Sequence, residues 1–153
     1  MDGVLCDFNK RFIEVNSIHP SKVKGTFVET EYWSKFVKEG HFSTLDWNPG
    51  GIELWNYVSS FNIPIEILSS SGGYKFHGLI RDQKEVWLRL RDINIHANIV
   101  PSKKHKKTYA NPSHVLIDDV EKNIVEFVEA GGKAIHHKTF EETKYELEKF
   151  LKG

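Results

Sequence analysis

The sequence predicts an α/β fold with a mainly parallel sheet and a small helical cap. From residue 63 onward, short β-branched runs alternate with amphipathic stretches, the pattern of strand-helix-strand units. The predicted strands end in small or acidic residues, as strands feeding a polar site do. Residues 9–48 lack this rhythm, yet Phe27, Tyr32, Trp33, Phe36, Phe42 and Trp47 fall within 21 positions.

Each element follows from local pattern. Residues 63–68 place isoleucine at every second position, the period of a strand, and Ser69-Ser70-Ser71-Gly72-Gly73 ends it. Between Leu79 and Asp92, the apolar residues Leu79, Ile80, Val86, Trp87 and Leu90 lie among charges and predict an amphipathic helix. Residues 98–100 predict a short strand stopped by Pro101, and residues 114–117 another stopped by Asp118-Asp119. Val120, Ile124, Phe127 and Val128 recur at helical spacing before Gly131-Gly132. Lys133 to His136 reads as a strand, and Thr139-Phe140-Glu141-Glu142 as a capping box opening a last helix with Phe140, Leu147 and Leu151 on its apolar face. Pro49-Gly50-Gly51 leads into a helical pattern through Ile52, Trp55 and Val58. The expected organisation is therefore a core of residues 1–8 and 49–153, with residues 9–48 inserted as a helical cap.

Composition narrows the function classes. With 21 basic and 21 acidic residues the formal net charge is zero, which disfavours a general polyanion binder. The single cysteine, Cys6, excludes an internal disulfide and a multi-cysteine zinc site, and fits a reducing cytoplasm. Its apolar neighbours make it a buried small residue rather than a nucleophile. No apolar run reaches the roughly 20 residues of a membrane span, and no leader pattern opens the chain, so a cytoplasmic protein without a membrane partner is expected. His136-His137 resembles a metal pair by type, but neighbours on a strand face opposite ways.

Three polar clusters stand at predicted strand ends or at the chain start: Asp2 to Phe8, Ser69-Ser70-Ser71 and Asp118-Asp119. Ligands of open parallel sheets bind beyond the carboxyl ends of the strands, so these clusters converge on one expected site. Carboxylates with hydroxyls suit a hard, oxygen-seeking cation such as Mg2+ and leave positions for phosphate oxygens. The run Lys103-Lys104-His105-Lys106-Lys107 can offset phosphate charge.

These residues resemble motifs of the haloacid dehalogenase (HAD) superfamily of phosphotransferases. Asp2-Gly3-Val4-Leu5-Cys6-Asp7-Phe8 is similar to the second half of its first motif, and Ile67-Leu68-Ser69-Ser70 to the second. Lys107, or Lys106 beside it, is similar to the third-motif lysine. Leu116-Ile117-Asp118-Asp119, then Asn123-Ile124 and Ala130-Gly131-Gly132, resembles the fourth motif and is the most specific match. Phe8 and the segment from Gly40-His41-Phe42 through Leu45 to Pro49-Gly50 resemble the 5'(3')-deoxyribonucleotidase-like branch, which has a small helical cap after the first motif.

The resemblance implies a Rossmann-like parallel sheet and a Mg2+-dependent 5'-nucleotidase acting on nucleoside monophosphates. Asp2 would be the general acid/base and offer its carbonyl to the metal. Ser69 and Lys107 would hold the phosphoryl group, and Asp118 and Asp119 would bind Mg2+. Phe8 would stack the base, with Ser70 and Ser71 lining the substrate. Read without the resemblance, Asp7 and Asp119 are helix-capping acids, Ser69 a turn serine and the lysines a solvated loop. The family nucleophile is the first Asp of Asp-x-Asp, and Met1 occupies the x position, so the resemblance places that Asp and its apolar strand ahead of Met1. A different class therefore stands beside the enzyme: a catalytically impaired or truncated relative that binds a nucleotide or phosphate. The expected partner is a small phosphate monoester, with no nucleic acid.

Overall fold

A computed structural model describes all residues, Met1–Gly153. The chain does not begin with a strand. The carbonyl of Met1 accepts hydrogen bonds from the amides of Val4, Leu5 and Cys6, closing a tight turn. Asp7 then caps helix α1 (Phe8–Asn16), its carboxylate accepting from the Lys10 amide at 3.1 Å. Helices α2 (Pro20–Val23) and α3 (Glu29–Lys38) and a 3-10 turn (His41–Thr44) make the segment before α4 helical.

The rest alternates: α4 (Gly51–Ser59), β1 (Ile67–Ser70), α5 (His77–Arg89), β2 (Ala97–Val100), a 3-10 helix (Lys103–Tyr109), β3 (Val115–Asp118), α6 (Glu121–Glu129), β4 (Lys133–His136) and α7 (Phe140–Lys152). The Thr139 hydroxyl caps α7, accepting from the Glu142 amide. Both pairings are parallel, Ser69 opposite Ile99 and Ile117 opposite Ile135. The α/β class and the parallel strands are thus present.

The single sheet expected from the sequence is not. There are two separate two-stranded sheets, β1-β2 and β3-β4, because the segment at Met1–Cys6 makes a turn and no ladder joins β1 to β3. The first strand is also shorter than the isoleucine alternation predicts. Its partner β2 offers four positions, so residues 63–66 stay outside the ladder and Ile63 is exposed.

One core spans cap and α/β part. Phe12, Phe36, Val37 and Phe42 of the insert join Leu5, Leu54, Ile67, Ile80 and Trp87 in a single buried cluster. Phe36, fully enclosed, has ring centroids of Phe8 at 5.2 Å and Phe42 at 5.1 Å. Several expected core residues fall outside: Phe27 is almost fully exposed, and Ile52, Leu79, Leu90, Val128 and Leu151 are exposed as well. Cys6 is buried, its thiol pushed up to about 12 by burial and the nearby Asp2 charge. No helix is long and apolar enough to cross a membrane.

Because Phe36 ties three elements together, Phe36→Ala should destabilise the fold by about 3–5 kcal/mol, the usual cost of emptying a buried aromatic site. A urea midpoint unchanged from wild type would remove Phe36 from this role.

Candidate active site

The floor of the site is a pair of buried lysines held between carboxylates. Lys84 extends from α5 and is 1% exposed. Its ammonium donates to Asp2 Oδ2 at 2.8 Å, Ser69 Oγ at 2.7 Å and the Ser70 carbonyl at 3.0 Å. Lys106 extends from the 3-10 helix and donates to Asp118 Oδ2 at 2.6 Å. Asp118 is also buried, and its carboxylate accepts from the Val120 amide and the Asn123 side chain. These contacts join the N-terminal turn to β1, and β3 to the lysine-rich loop.

Above this floor opens a cavity of about 460 Å³, lined by Asp2, Ser69, Lys106, Asp118 and Asp119 at one end. Phe8, Phe12 and Trp33 of the insert form an aromatic wall. Phe8 lies stacked on Phe42, 5.7 Å between centroids, so it is supported from behind by the core. Trp33 closes on the loop after β1, where Gly72 has φ +78° and a Cβ would stand 3.2 Å from the indole. The far rim comes from His19, Ser21, Lys24 and Glu29.

Gly3 makes the other close approach. Its φ is +73°, and a Cβ there would lie 2.0 Å from Asp119 Oδ2, so the Asp119 carboxylate rests on the bare backbone of the first turn. The segment that follows the cap clamps this turn. The Asn48 side chain donates to the Gly3 carbonyl at 3.0 Å, and its amide to Leu5 at 2.7 Å.

Charge on the floor is nearly balanced. Burial alone would push Asp118 up, but Lys106 and the amide of Val120 outweigh it and hold the carboxyl below its ordinary range. Asp2 behaves alike, with Lys84 outweighing burial. Asp119 has no such cation; burial and its neighbour Asp118 raise it. Asp2 Oδ1 is buried without a hydrogen-bond partner. That orphaned oxygen and the uncompensated Asp119 are oxygen donors of the kind a hard cation takes, so the residues fit Mg2+ by chemistry. No three such side chains are already gathered as a ligand set.

The structure thus brings Asp2, Phe8, Ser69, Ser70, Asp118 and Asp119 to one cavity. Two expected residues lie elsewhere. Lys107 is exposed, and Lys106 takes the inward position. Ser71 is buried beneath the loop, its hydroxyl at 2.8 Å from His77 Nδ1 and near the carbonyls of Gly73, Val100 and Pro101, so it cannot line a substrate. Lys84 is the residue the sequence reading missed. The signal was present: at three residues before Trp87 and four after Ile80, it shares the buried face of α5. His136 and His137 do face apart, the first donating from Nε2 to the Asp119 carbonyl and the second buried against Thr143. Compared with family models, curated proteins and solved structures, the chain matches none.

Lys106→Met leaves a buried carboxylate without its cation and should cost about 3–5 kcal/mol at neutral pH. Lys107→Met, on the exposed side, should change stability by less than about 0.5 kcal/mol. The Asp118 pair stabilises fully above the ordinary carboxylate pKa and fades as pH falls through the lowered folded value. The penalty of Lys106→Met should therefore shrink on acidification. Equal unfolding midpoints for the two variants at neutral pH would show that Lys106 is not the structural partner. Gly3→Ala should also destabilise, since Asp119 must move and the backbone is left-handed there.

Proposed function

We propose that this cleft binds and hydrolyses a phosphate monoester by HAD-type, Mg2+-dependent chemistry, its substrate a (deoxy)nucleoside 5'-monophosphate and its setting the cytoplasm. The observation that carries the reading is the buried Lys106 ammonium and the Ser69 hydroxyl beside three carboxylates in an aromatic-walled cavity, with the Lys84 ammonium enclosed behind Asp2 and Ser69. A floor of two cations and three anions has room for a phosphate dianion only if a divalent cation enters too. Together those two add no net charge.

Each side chain then has a role. Lys106 and the Ser69 hydroxyl line the cavity and offer donors to the phosphoryl oxygens, where charge redistributes in the transition state, while Lys84, its three N–H groups engaged, holds Asp2 and Ser69 in position behind them. Asp2, held ionised by Lys84 and with one oxygen free of partners, would act as the base that takes a proton from water, and as the acid toward the leaving oxygen once it carries that proton. Asp2, Asp118 and Asp119 would hold Mg2+, which supplies Lewis-acid stabilisation of the phosphoryl charge when bound. The wall of Phe8, Phe12 and Trp33 offers flat apolar surface to a nucleobase.

One observation favours a second reading, that of a nucleotide or phosphate binder without turnover. The two most deeply set carboxylates, Asp2 and Asp118, are both occupied by lysines, and neither stands free as a nucleophile. Phosphate release from a panel of nucleoside monophosphates with Mg2+ separates the two. The enzyme reading expects release that falls about 10²-fold in Ser69→Ala, the scale for losing one oxyanion donor. Calorimetric binding of nucleoside monophosphates with no release supports the binder. Absence of both binding and release overturns the site altogether.

A further inference from the structure

We infer that the cavity takes a nucleotide bearing a second phosphate group, read by Lys103 and Lys24 at a place separate from the Lys84–Lys106 floor. The inference rests on the nucleotide reading above and extends it to substrate class. Lys103 and Lys106 lie three residues apart on one 3-10 helix, where side chains at i and i+3 eclipse. Both line the cavity. At 2 Å rise per residue they are offset by about 6 Å along the helix axis. That is the scale of two phosphates on one ribose, or of neighbouring phosphates along one strand. Lys106 is committed to Asp118, whereas Lys103 forms no ion pair.

The cap supplies the matching cation. Lys24 follows α2 on the cavity rim and is likewise without an ion-pair partner. Two carboxylates share this outer part of the cavity, and both already serve the backbone. Glu29 accepts from the Gly25 amide at 2.6 Å, and Asp7 caps α1. The cavity is therefore lined by two ammoniums without a direct partner, one from the cap and one from the core, while its two nearby carboxylates are held by backbone amides. A monophosphate seated on the floor leaves both ammoniums without a partner. A second phosphate, free or as a phosphodiester, supplies one.

Calorimetric titration tests this with adenosine 5'-monophosphate, adenosine 3',5'-bisphosphate and the 5'-phosphorylated dinucleotide pApA, with Ca2+ in place of Mg2+ to hold back turnover. The expected result is binding of the bisphosphate or dinucleotide at least tenfold tighter than the monophosphate. In Lys24→Met/Lys103→Met that advantage should collapse to within twofold, while affinity for the monophosphate stays unchanged. Lys104→Met, an exposed lysine that does not line the cavity, serves as control and should keep the advantage. Preference for the bisphosphate alone identifies a free bisphosphate, and an equal gain with pApA identifies the end of an oligonucleotide. A bisphosphate and dinucleotide no tighter than the monophosphate, or an advantage that survives the double substitution, overturns the inference and leaves the nucleotide reading standing. No binding of any of the three overturns both.

Discussion

Two lysine ammoniums, buried where charged amines are rarely found, hold the working face of this protein together. Lys84 bridges the turn at Asp2 to the end of β1, and Lys106 fixes the end of β3 to the loop before it. A buried ammonium is costly in isolation, and only near-complete satisfaction by carboxylate, hydroxyl and carbonyl oxygens makes it tolerable. The arrangement is therefore all-or-none: removing one partner strands another.

The cap is not a separate body resting on this frame. Its aromatic residues are continuous with the core under β1 and α5, so the position of Phe8 and Trp33 over the cavity is fixed by the same packing that stabilises the fold. Trp87 and Arg91 extend this tie from the other side. The Trp87 indole donates to the Leu45 carbonyl at 2.8 Å, and the Arg91 guanidinium lies 3.9 Å over the Trp87 ring while donating to the same carbonyl. The chain leaving the cap at Leu45 is thereby held as it returns to clamp the first turn through Asn48.

Much of this was legible in the residues. Strand ends at Ser69 and Asp118 pointed to the site, the capping signals at Asp7 and Thr139 held, and the aromatic insert is helical. What escaped depended on rotation of a face. Leu79 and Leu90 gave α5 an apparent apolar stripe, yet both are exposed, and the buried face runs through Ile80, Gln83, Lys84, Trp87 and Leu88. Two polar residues on that face hide it from a pattern built on apolar spacing. The lysine run failed for a related reason. Its conformation is 3-10 rather than irregular, and it turns Lys106 inward, leaves Lys103 exposed at the cavity rim and sends Lys107 out. The divided sheet was beyond pattern reading, because pairing depends on what lies between β1 and β3 rather than on either strand's own residues.

The same ion pairs set the terms on which a ligand can enter. On the proposed reading, a phosphate arriving at the floor would compete with Asp118 for Lys106, so binding would exchange an internal partner instead of filling a bare pocket. The Asp118 carboxylate released by that exchange would become an uncompensated buried anion, which a divalent cation could satisfy. Phosphate and cation would then be coupled energetically, each making room for the other. Asp119 belongs to this balance from the start, held high by burial and by Asp118 with no lysine of its own. The outer lysines escape the exchange altogether. Lys24 and Lys103 have no carboxylate to give up, so a charge they meet at the rim is gained without displacing anything within the fold.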